Sequence, residues 1–315
     1  GMARGIWGAD WYGANTSGLS VFAITYVLAA LGSGVNDTIS GIWMLIKCGI
    51  MGELGDWVRC LKTKPGVVMI ICALIGGPIA STCYVAALQM AGTIIVPFAA
   101  LNAAIGAIIG RFVFKQKLSP VMVGGIILCL ICATVIGGTS FDGFGGTTMV
   151  GILLALVCAL GWGIEGAVAG FGTTLIEYNI GITIRQCTSG LSNLIILLPI
   201  LCLIDGNIGL EFNLLGTALT DSSIIFFIIS GLFAMPAYSF WYKGNSMCGA
   251  ALGMVCNGMY AFWGPFWCMI VVGILGGHEG WILTPVQWIM AVVMVIGIAL
   301  VGNLNPLNLF KKKEA

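Results

Sequence analysis

Residues 120–138 read PVMVGGIILCLICATVIGG, with no charged side chain anywhere in the run. About 20 apolar residues in a helix match the hydrocarbon thickness of a bilayer. Runs of this kind recur along the whole chain, at roughly 2–28, 36–57, 66–90, 94–113, 119–138, 148–170, 180–204, 222–243, 248–275 and 284–303. Lipid offers no partner to backbone N–H and C=O groups, so each run must satisfy its own as a helix. Hydrophobic residues make up 59% of the chain and charged residues 8%, against about 25% charged in soluble domains. The sequence therefore predicts an all-α integral membrane protein with ten transmembrane helices. Only 205–221 reads as a loop of real length, which leaves no room for a soluble catalytic domain. An enzyme is not expected.

Basic residues set the orientation. Arg59, Lys62 and Lys64 follow the second run, Arg111, Lys115 and Lys117 the fourth, Lys243 the eighth, and Lys311, Lys312 and Lys313 the tenth. The connections after runs five, seven and nine carry Asp142, Asp205, Glu211, Asp221 and Glu279, and no Lys or Arg. By the positive-inside bias both termini are cytoplasmic. A net charge of +1 argues against a nucleic-acid partner. Twelve cysteines are scattered through the runs, and Cys129 and Cys132 have no histidine beside them, so they read as small apolar packing residues. The single histidine, His278, cannot build a metal or hydrolase site alone. Neither metal nor cofactor is expected.

The chain also repeats itself. KLSPVMVGGIILCLICATVIGG (117–138) answers ILTPVQWIMAVVMVIGIALVG (282–302), and in both a Ser or Thr before Pro opens a helix. Trp7 and Trp162, Asp10 and Glu165, and Asn102 and Asn257 are each 155 positions apart. The reading is two five-helix repeats, 1–140 and 148–305, followed by a basic cytoplasmic tail, 306–315. An odd number of spans turns the second repeat over, and inverted repeats are a plan of secondary transporters with the substrate near the midplane. LIGGPIAS (74–81) and Pro236 place helix-breaking residues in runs three and eight, where kinks are expected.

Trp7, Asp10 and Trp11 share one helix face, as do Trp162 and Glu165. Acids at membrane depth usually face a cavity or a partner. Tyr238, Trp241 and Tyr242 form another i, i+3, i+4 set, and Asn257 and Tyr260 a further pair. Several ring faces with a carboxylate suit a cation, above all a quaternary ammonium that donates no strong N–H bond. Glu165 and Asp10 are the candidates for attracting the cation or coupling its movement to protons. Gln186 is a further candidate to reach the cavity. Arg185 is expected to snorkel to the cytoplasmic face, with pairing to Glu177 as the alternative, Asp37 to cap the second helix, and Lys47 has no evident partner.

KQKLSPVMVGGIILCLICATVIGG and its second-half counterpart resemble the end-of-repeat signature of the drug/metabolite transporter (DMT) superfamily in its EamA-like ten-helix form. ALVCALGWGIEGAVAGF (155–171), IRQCTSGLSN (184–193), GIWG (5–8), GGPI (76–79) and NGMYAFW (257–263) are similar to the LicB-type bacterial choline transporters. The resemblance implies proton-coupled choline import at a bacterial inner (plasma) membrane by a multi-pass carrier. An aromatic box would include Trp7, Trp162, Tyr238, Trp241 and Tyr242, with Glu165 matching the acid after the helix-six tryptophan. Trp241 stands where a Tyr is expected, and Asp10 and Trp11 are additions, which leaves other quaternary amines open. The expected partners are a small choline-like cation, protons and the lipid bilayer, with oligomeric state open. An exporter of amino acids or other small metabolites is the alternative, and a non-transporting membrane receptor a more distant one.

Overall fold

The computed structural model describes residues 9–113, 115, 117–139, 146–248, 253–254, 257–277 and 281–302. Every regular element among them is helical. In chain order they are α1 (Ala9–Thr16), α2 (Leu28–Ile50), α3 (Leu54–Leu61), α4 (Lys64–Leu74), α5 (Thr82–Ala91), α6 (Ile95–Ala99), α7 (Asn102–Val113), α8 (Pro120–Gly138), α9 (Gly146–Gly172), α10 (Tyr178–Ser192), α11 (Leu198–Ile204), α12 (Leu210–Thr220), α13 (Ile224–Cys248), α14 (Tyr260–Cys268) and α15 (Pro285–Val301). Wider π turns join several of them without a break: Ala23–Val27 leads into α2, Ile75–Ser81 joins α4 to α5, and Asn193–Leu197 joins α10 to α11. Five of the helices described are long and apolar enough to cross a membrane, at Lys64–Ala99, Pro120–Gly138, Gly146–Gly172, Tyr178–Ile204 and Ile224–Met247. Asn102–Val113, Tyr260–Ile274 and Pro285–Val301 are shorter apolar helices.

The helix starts at Ser-Pro and Thr-Pro form as expected. Ser119 Oγ accepts from the Met122 N–H at the head of α8, and Thr284 caps α15 with Gln287 closing a reciprocal capping box. These two helices then pack on each other. A Cβ at Gly125 would collide with the Gly297 carbonyl and the Val301 N–H, and one at Gly297 would meet Cys129 Sγ, so two glycines let the backbones touch.

Two expectations need correcting. The break placed between runs one and two, at 29–35, lies inside a continuous helix from 21 to 50. Gly32, Ser33 and Gly34 look like helix breakers, but they are packing sites: a Cβ at Gly34 would strike Leu194. The segment 205–221 is not simply a loop, because it holds α12, whose Leu214 and Ala218 are buried against α2, α11 and Phe227.

The core is arranged in levels along α2 and α10. Val35 and the residues before it on α2 share an apolar cluster with Leu198 and Cys202 of α11. Met44 shares another with Ile180, Ile182 and Ile184 of α10. The two helices therefore run antiparallel. Between the clusters, both change character: Asp37 and Ser40 on α2 face Arg185, Gln186 and Ser189 on α10. A polar belt is thus enclosed above and below by apolar packing.

Candidate functional site

At the centre of this belt Arg185 lies between two carboxylates. Its Nε donates to Glu165 Oε1 at 2.5 Å and its Nη2 to Glu165 Oε2 at 3.2 Å, a bidentate pairing. Its Nη1 donates to Asp37 Oδ2 at 3.4 Å and to Gln186 Oε1. Arg185, Asp37 and Glu165 are only 5%, 3% and 2% exposed. Charges taken this far from water survive only when paired and hydrogen-bonded. The rest of the network does that work: Ser189 Oγ donates to Asp37 Oδ2, Asn36 Nδ2 reaches Asp37 Oδ1 at 3.3 Å, and Gln186 Nε2 donates to Ser40 Oγ at 2.5 Å. Two carboxylates against one guanidinium leave a formal surplus of one negative charge.

Close backbone approach makes the arrangement possible. In the π turn Ile75–Ser81, a Cβ on Gly76 would overlap the Glu165 carboxylate and one on Gly77 would overlap Ser189. The Gly76 carbonyl also accepts from Trp162 Nε1 at 3.0 Å and from Ser81 Oγ at 3.0 Å.

Rings wall the belt. Trp162 stacks obliquely on Tyr84, centroids 5.0 Å apart, and meets Tyr260 edge-on at 6.1 Å. Tyr238 lies 6.5 Å from Trp241, which meets Tyr242 at 5.1 Å. The Arg185 guanidinium carbon sits 5.9 Å from the Tyr238 ring centroid, within reach of a cation–π contact. The site already holds one cation against one of its rings.

Of the residues singled out from sequence, Trp162, Glu165, Gln186, Tyr238, Trp241, Tyr242 and Tyr260 come together around the belt. Trp11 does not. It is buried among Val27, Leu28, Leu31, Leu198 and Phe227 in the cluster on one side of the belt, because the four residues after α1 turn that helix onto the end of the bundle. Asp10 is exposed and is not paired with Glu165. Asn257 is half-buried at the start of the segment leading into α14. Trp7 and His278 lie outside the described residues.

Arg185 and Asp37 correct their sequence readings. Arg185 does not snorkel; the Glu165 carboxylate holds it inside. Asp37 caps nothing, since it sits well within α2. Lys47 gains partners, donating to Asn179 Oδ1 at 2.5 Å and Ser239 Oγ at 3.0 Å. A signal for the belt was present in the chain: Ser33, Asp37 and Ser40 on one helix and Arg185, Ser189 and Ser192 on the other recur at helical spacing on single faces. Among the described residues no group of His, Cys, Asp and Glu is placed to hold a metal ion.

No family model matches the chain, and no curated protein matches it. A solved structure described only as "Crystal structure of protein" is 18% identical, over 94% of this chain and 99% of that one, with a TM-score of 0.47. A likeness that low carries no argument about fold or function.

Proposed function

We propose that the protein is a secondary carrier in a bacterial inner membrane that moves choline or a related quaternary ammonium compound by alternating access. In this reading the helices form two inverted repeats with both termini cytoplasmic, the first two apolar runs being merged in the single helix 21–50, and the polar belt is the transport site. The observation that carries the reading is the buried Asp37–Arg185–Glu165 group, which has one carboxylate more than its guanidinium balances. A membrane-buried surplus charge needs a counter-charge, and a proton or a cationic substrate supplies it. Tyr238, Trp241, Tyr242, Trp162 and Tyr260 give that cation ring faces, worth up to about 2 kcal/mol each when desolvated. The resemblance to LicB-type choline transporters points the same way.

The geometry favours a cation over a zwitterionic amino acid. A substrate carboxylate would seek Arg185, whose fork Glu165 already occupies with two bonds. Glu165 is therefore better placed to hold Arg185 than to exchange protons. Asp37 keeps only a 3.4 Å contact with the guanidinium and is the freer carboxylate.

Ligand-dependent thermal unfolding of the purified protein tests this. Choline should raise Tm with concentration, as any ligand of the folded state does, and tetramethylammonium should do so more weakly. Stabilisation by aromatic amino acids alone, with choline, betaine and carnitine inert, would overturn the reading in favour of an amino-acid carrier.

A further inference from the structure

The aromatic wall contains more than ring faces. Trp241 Nε1, Tyr242 Oη, Tyr260 Oη and both side-chain amide atoms of Asn102 are buried without a hydrogen-bond partner. Buried polar groups are nearly always paired, so several orphans in one region call for an explanation. Tyr242 lies apart, in the cluster with Met44 and Met69, but the other three residues border one region. Trp241 and Tyr260 pack against the same contiguous cluster, which includes Leu101 and Ala103 on either side of Asn102. A Cβ at Gly163, next to Trp162, would come within 3.2 Å of the Asn102 backbone carbonyl. Asn102 is the first residue of the 12-residue helix α7 and is 0% exposed. Asn257, its equivalent at the 155-residue offset, lies beside Gly258, where an added Cβ would sit 3.6 Å from that of Ala103.

None of these groups serves a trimethylammonium head. An indole N–H needs an acceptor, a phenol can donate or accept, and a primary amide does both. We propose that Asn102, Tyr260 and Trp241 form a hydroxyl-recognising subsite beside the aromatic wall, so that the substrate class is a hydroxylated small molecule. On the proposed function, on which this inference rests, the hydroxyl is that of choline, while the surplus carboxylate and the rings take its other end. The subsite demands an acceptor and a donor on one small group, and that demand separates choline from tetramethylammonium and from alkyl analogues of equal size.

Choline and propyltrimethylammonium, which carries a methyl group where choline has its hydroxyl, make the test. Binding is measured calorimetrically on the full-length purified protein. The wild type should bind choline about tenfold or more tightly than the analogue, because the analogue leaves the buried groups unpaired. Tyr260→Phe and Asn102→Leu should each erase most of that preference by weakening choline while leaving the analogue's affinity in place. A merely structural role would weaken both ligands together. Equal affinities in the wild type, or a preference that survives both substitutions, would overturn the subsite and leave the ammonium reading standing. If neither cation binds, the proposed function fails and the subsite is tested by a panel of monosaccharides and inositol. Saturable binding that Tyr260→Phe abolishes would support it, and no binding would overturn it.

Discussion

Replacing Arg185 with Leu would leave Glu165 and Asp37 facing each other with no positive charge between them. Breaking a buried pair from one side costs about 3–5 kcal/mol, because the abandoned charge cannot reach water. Arg185→Leu should therefore unfold at much lower temperature, and Arg185→Leu combined with Glu165→Gln and Asp37→Asn should recover much of the loss. Equal Tm values for the single and triple variants would show that the charges do not depend on one another. Asp37→Asn alone is a different experiment. It removes the surplus charge while keeping the shape, so the fold should hold and choline affinity should fall about tenfold or more, as loss of one buried ion-pair partner implies. Unchanged choline affinity would detach the belt from substrate binding. At this scale the sequence was half legible. Glu165 in an apolar run signals a buried polar partner, and Arg185 is that partner. Arg185 was misread because a long side chain near a helix start can reach water, and only the contact with Glu165, 20 positions earlier, fixes it inside. Asp37 was misread because GVNDTIS carries the composition of a cap, and composition does not reveal that the helix began well before it.

Glycines decide how closely the elements meet, and their effects can be separated by position. Gly76→Ala and Gly77→Ala should each destabilise by about 1–3 kcal/mol, the usual range for forcing volume into a packed interior. The added carbon meets Glu165 in one case and Ser189 in the other. Gly124→Ala is the matched control: its Cβ meets nothing within 4 Å, so thermal unfolding should be nearly unaffected. Similar losses at all three positions would mean that helix flexibility, not contact with the belt, sets the requirement. The turn before α3 gives a pH-dependent case. Burial, and then the Glu177 carboxylate, push the Glu53 carboxyl above its usual range, against the pull of Lys47. A raised folded-state value means that folding binds protons, so this group favours the fold in acid and loses that contribution as pH rises through its folded pKa. Glu53→Gln should accordingly raise Tm at neutral pH, with the gain shrinking toward the acid side of the carboxylate range. A gain that is constant with pH would assign the effect to packing. Helix starts were the most legible elements, because Ser-Pro and Thr-Pro carry their own chemistry. The continuous helix through 29–35 was the least legible, because glycine reads the same whether it breaks a helix or lets a neighbour in.

At the scale of the whole molecule, a carrier needs contacts that persist and contacts that open. The α8–α15 pair, locked backbone to backbone through Gly125 and Gly297, has the character of a persistent contact. The tie at Lys47 is of the other kind. A single ammonium joins α2 to α10 through Asn179 and to α13 through Ser239, at the end of the bundle marked by Met44 and Ile180. Its hydrogen-bond partners are neutral, the Tyr178 ring lies 6.0 Å from the ammonium and the Glu53 carboxyl is within its electrostatic reach, and the half-buried side chain has water as an alternative. If the belt is reached alternately from the two ends, this tie releases when that end opens. Lys47→Met should then increase amide hydrogen exchange across 178–183 several-fold, because local opening free energy falls when a cross-helix tie is lost. Exchange within α8 and α15 should stay as slow as in the wild type. Faster exchange in all these helices together would mean that Lys47 supports global stability, and no change in any of them would remove it from the conformational cycle.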